Sequence, residues 1–120
     1  MHELHFERIK RFAADGVRGL YFDSYDPFMD RLFAYVVSRL LWNPSLPTRP
    51  MVEDFIAAYY GPAAPTIQRV YDRLSDIVRP YERSQGAILD RTKLVTNAEL
   101  DELLGLYAKA EQLVAAASPE

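Results

Sequence analysis

No cysteine occurs anywhere in the 120 residues, which excludes a disulfide-stapled scaffold and a thiolate-held metal centre and removes any redox clue to compartment. Neither sign of charge dominates: 14 basic and 17 acidic side chains leave a net charge of -3, and the arginines are scattered along the chain. Such a balance creates no field that gathers phosphates, so a nucleic-acid partner is not expected. Long apolar runs are missing as well. The longest, residues 32–42, is interrupted by Ser38 and Arg39 and falls short of the ~20 residues that cross a bilayer, so no membrane partner is expected. The opening Met1-His2-Glu3-Leu4-His5-Phe6-Glu7-Arg8 alternates charged and apolar residues, unlike a secretory leader, and the sequence as written is not expected to be exported. There is no P-loop, no Gly-x-Gly-x-x-Gly and no Ser-His-Asp set supported by spacing. What is present is an apolar fraction of 49% against 26% charged, the balance of a chain that buries a core and not of a disordered tail.

Periodicity predicts a mainly α chain of about five helices with one short strand. Phe6, Ile9 and Ala13 share one face of a first helix over residues 2–14, which Asp15-Gly16 stops because glycine can adopt the left-handed helix end. Val17-Arg18-Gly19-Leu20-Tyr21-Phe22 is β-branched and aromatic, bounded by Gly16 and Asp23-Ser24, and reads as the strand. Asp26-Pro27 then opens a second helix running to about Trp42. Its residues Met29, Leu32, Phe33, Val36, Val37, Leu40 and Leu41 cover most of the circumference and imply a core helix, ended by Asn43-Pro44.

A third helix carries Val52, Phe55, Ile56 and Tyr59 and stops at Gly61. Pro62 and Pro65 lie before or within the first turn of a fourth, where a missing amide costs little. Ile67, Val70, Tyr71, Leu74, Ile77 and Val78 share its face, and Pro80 is expected to end it. Residues 80–95 have no clear period and read as a connection, with a turn near Ile88-Leu89. Thr96 and Glu99 form a capping-box pair for a fifth helix bearing Leu100, Leu103, Leu104, Tyr107, Ala110 and Val114. A single strand cannot satisfy its own amides and carbonyls, so residues 17–22 need a partner: a second copy, an undetected strand, or strands of a longer protein.

Helix, strand and helix over residues 2–42 follow one another as in the last βα unit of a (β/α)8 barrel. Three stretches sharpen that likeness: Asp15-Gly16-Val17-Arg18-Gly19-Leu20-Tyr21-Phe22, Leu40-Leu41-Trp42-Asn43-Pro44-Ser45-Leu46, and Glu53-Asp54-Phe55-Ile56-Ala57-Ala58-Tyr59-Tyr60-Gly61-Pro62-Ala63-Ala64. Together they resemble the C-terminal part of a bacterial domain-of-unknown-function family with glycoside-hydrolase-like barrels, related in style to α-glucuronidases and hexosaminidases. The resemblance implies a last barrel unit over residues 1–45 and a C-terminal helical region over 46–120. It also implies a parent that processes carbohydrate and is secreted or periplasmic. The other seven strands and the acid/base carboxylates of such a barrel are not in this sequence, so no catalytic residue is assigned. The function expected is therefore that of the C-terminal helical portion of a carbohydrate-processing protein, incomplete as a catalyst alone. A helical interaction module that forms homo-oligomers through its strand is the alternative.

In a barrel the chemistry sits at the C-terminal ends of strands, which places Asp23 and Tyr25 as candidate substrate-binding residues, by hydroxyl hydrogen bonding and ring stacking. Competing with that, Asp26 serves as a helix cap and Asp23 as a loop residue. His2 and His5, with Glu3 and Glu7, lack the His-Glu-x-x-His spacing and read as a solvated face, so no metal or cofactor is expected. Tyr59, Tyr60, Tyr71, Tyr81 and Trp42 fall at helical spacing and read as packing in preference to a sugar platform.

Overall fold

The computed structural model describes residues 3–21, 29–82 and 95–117. Among these it contains five α-helices: α1 (Glu3–Ala14), α2 (Met29–Trp42), α3 (Thr48–Tyr60), α4 (Ala64–Glu82) and α5 (Asn97–Ala117), with a 3-10 turn at Gly61–Ala63. The mainly helical expectation holds. The expected strand does not: residues 17–21 have no regular secondary structure, and Phe22 lies outside the described residues. A strand exists only where a neighbour completes its ladder, and no described residue does so here. For the same reason the likeness to a barrel's last unit finds no support in the fold.

The chain divides into two compact units, residues 2–55 and 56–120, with the division falling inside α3. In the first, α1 packs on α2. Phe6 and Ile9 are buried, as are Leu32, Val36, Val37 and Leu40. The Phe6 ring stacks on Phe33 at 5.9 Å between centroids, and burying a side chain of that size contributes about 1.5–3 kcal/mol. Tyr35 meets Phe55 at 5.4 Å, and the Arg39 guanidinium lies 4.5 Å from the centre of the Tyr35 ring. After α2 the chain is turned by Asn43, whose side-chain oxygen accepts hydrogen bonds from the Ser45 amide (3.1 Å) and hydroxyl (2.7 Å).

In the second unit, Gly61 takes a positive φ of 49° that ends α3 where the sequence predicts. Pro62 and Pro65 sit in the opening turns of the 3-10 turn and of α4, where no intrahelical donor is missed. Val70 and Ile77 of α4 close on Leu103 of α5, with Leu74 and Leu106 packed beside them. Pro80 does not end α4, which continues to Glu82. So close to the helix end, its missing amide costs a single i−4 bond and interrupts no later turn.

Candidate functional site

An open apolar groove of the first unit begins at the end of α1. Gly16 has φ 81°, its amide donates to the Ala13 carbonyl (3.1 Å), and the Val17 amide donates to the Phe12 carbonyl (2.9 Å). This is the Schellman arrangement, in which a left-handed residue lets two late carbonyls of the helix find donors. It turns the chain sharply, so that Val17 and the residues after it run past the ends of α1 and α2. A groove of about 320 Å³ results. Ile9, Phe12 and Ala13 supply its α1 wall, Leu40 and Leu41 its α2 wall, and Pro44 its end, while Val17 to Leu20 run along the remaining side.

Apolar side chains stay uncovered around it. Phe12, Val17 and Leu41 are roughly half exposed, and at the ends of the adjoining segments Tyr21 is 88% and Trp42 92% exposed. Scattered exposed aliphatics are ordinary, whereas Phe12, Val17 and Leu41 line one groove together and leave it an apolar surface that another segment can cover. Arg18 is the one cationic side chain among the described residues that line the groove. Arg11 and Asp15, 3.8 Å apart, form an exposed ion pair at the end of α1. The arrangement can seat an apolar segment alongside residues 17–21. Among the described residues that line it there is no acid, base or nucleophile set for bond-breaking.

Of the residues singled out in the sequence, Asp23 and Tyr25 lie outside the described residues, as do Asp26 and His2. His5 packs edge-on against Phe33, 6.1 Å between ring centres. Among the described residues no group of three or more metal-binding side chains comes together, and no helix is long and apolar enough to cross a membrane. The tyrosines divide. Tyr71 is buried, Tyr59 meets Tyr60 at 5.0 Å, and burial, followed by the neighbouring Tyr59 and Tyr107, pushes the Tyr60 phenol up to about 12. Trp42 departs from the packing expectation, because it is the last residue of α2 and its side chain stands in solvent. The groove itself was readable only in hindsight. Leu40-Leu41-Trp42 puts three consecutive apolar residues on a helix, about 100° apart, and one neighbouring helix cannot cover all three.

A family model described as "Domain of unknown function (DUF4838)" matches residues 2–72. No curated protein and no solved structure matches the chain.

Proposed function

We propose, since this chain belongs to the DUF4838 family, that it is the C-terminal helical portion of a carbohydrate-processing protein of glycoside-hydrolase-like type, without a complete active site of its own. The observation that carries the reading is the segment 17–21: it runs along an open apolar groove, has the composition of a strand, and finds no ladder partner among the described residues. In the proposed role, strands from the rest of that protein pair with residues 17–22 and their side chains fill the groove. Asp23 and Tyr25, which directly follow this stretch in sequence, then act as sugar-contacting residues, by hydrogen bonds to hydroxyls and by stacking.

Glycoside hydrolysis usually requires two carboxyl groups on opposite sides of the scissile bond. The 120-residue chain is therefore expected to bring no turnover to a panel of aryl glycosides. Clear hydrolysis by the purified chain would overturn the reading. The uncovered segment also favours a second reading, in which it pairs with another copy and the chain acts as an interaction module. That reading requires association that is lost on placing a charge at Val17, and a monomer stable to concentration would contradict it.

A further inference from the structure

The groove of the first unit is apolar on the walls that α1 and α2 supply, and carries a charge only on the side formed by residues 17–20, where Arg18 lies. Arg18 is exposed, and no described carboxylate forms an ion pair with it. Asp15, three residues earlier, is paired with Arg11 instead. Among the described residues no backbone hydrogen bond engages residues 18–21. Beside Arg18, a Cβ built on Gly19 would meet nothing within 4 Å. A glycine within a strand-like stretch often marks the place where another backbone comes close.

We propose that the strand covering this groove presents a carboxylate to Arg18, so that Arg18 selects the strand and sets its register. This rests on the reading above, that strands from elsewhere in a longer protein pair with residues 17–22, and adds the chemistry of the pairing strand. A strand laid along residues 17–20 takes water away from Arg18, and a guanidinium cannot escape by losing its proton. Under an apolar cover an unpaired guanidinium is costly, so the strand has to bring an acceptor. Its carbonyls are used by the ladder amides of residues 18–21, which leaves a side chain to meet the charge. A carboxylate matches the guanidinium fork with two parallel hydrogen bonds.

Register follows from the same pair. A slip of one residue turns every side chain of a strand to its other face, and apolar walls alone penalise a slip weakly. One acid set directly opposite one cation fixes the alignment. A second copy is the poorer occupant, because residues 17–21 contain no acid. Paired over those residues in parallel, it would set Arg18 against Arg18; antiparallel about Gly19, it would set Arg18 against Leu20. Neither alignment supplies the carboxylate.

Two measurements test this. In the first, the 120-residue chain is titrated with phenylbutanoate and with the neutral phenylbutanol as probes of the groove, followed by amide chemical shifts. Both are expected to shift residues 17–20, with the carboxylate bound about threefold or more tightly than the alcohol, the size of an exposed ion pair. Arg18→Gln is expected to abolish that preference and leave the alcohol unaffected. In the second, amide exchange at residues 18–21 is followed in the proposed longer protein, where Arg18→Gln should lower protection at least about tenfold, the size of a lost charge-assisted hydrogen bond. Equal affinity for the two probes, or protection unchanged by Arg18→Gln, would overturn the carboxylate partner and leave strand pairing itself standing. No protection in the longer protein, or protection gained by concentrating the 120-residue chain alone, would overturn both.

Discussion

Single residues fix the ends of the helices. Gly16 holds φ 81° with no atom within 4 Å of where a Cβ would stand, so a substitution there meets backbone strain and no steric clash. Gly16→Ala should cost about 1 kcal/mol in chemical denaturation and weaken the Schellman turn that starts the groove wall. A value near zero would mean that the turn relaxes freely. Thr96 and Glu99 act reciprocally at the start of α5. The Thr96 amide and hydroxyl donate to the Glu99 carboxylate at 2.9 and 2.8 Å, and the Glu99 amide donates to the Thr96 hydroxyl at 3.2 Å. Thr96→Ala should cost about 0.5–2 kcal/mol.

Those two hydrogen bonds from Thr96, backbone first, and then Arg73 hold the Glu99 carboxyl below its usual range against an opposing effect of burial. A depressed carboxyl stabilises the fold above its unfolded value, about 4.3, and that stability is lost as pH falls through the folded value. Acidification should therefore loosen the start of α5. In Thr96→Ala the Glu99 carboxyl should titrate closer to its ordinary value, which side-chain carbon NMR reads directly.

At the scale of elements, the sequence was most legible where local chemistry acts alone. The stop at Gly16, the break at Gly61, the turn after Trp42 and the capping box of α5 all depend on residues within one turn of one another. It was least legible where the outcome depends on a distant neighbour. Val17–Phe22 has strand composition, but composition supplies no partner, and within the described residues the segment stays unpaired. The apolar pattern of α5 foretold a helix without saying which side α4 would cover. Two adjacent leucines expose the difference: Leu103 is 6% exposed and Leu104 56%. Leu103→Ala should cost about 2–4 kcal/mol and Leu104→Ala less than about 1 kcal/mol at dilute concentration, measured by urea unfolding. Equal costs would contradict the α4–α5 packing described here.

At the scale of the whole molecule, the family match runs over the first unit and into α4, so it includes the groove and the segment 17–21. The candidate sugar-contacting residues were placed from the sequence by their position after that segment, and their role depends on what lies beside it. A helical unit that leaves Trp42, Tyr21 and the groove uncovered is accounted for if another part of a larger protein rests there. The most direct measurement is amide hydrogen exchange at residues 18–21, compared between the dilute 120-residue chain and the same residues within the longer protein proposed to contain them. Rapid exchange in the former and strong protection in the latter is the predicted result. Equally rapid exchange in both, or strong protection already in the dilute chain, would contradict it.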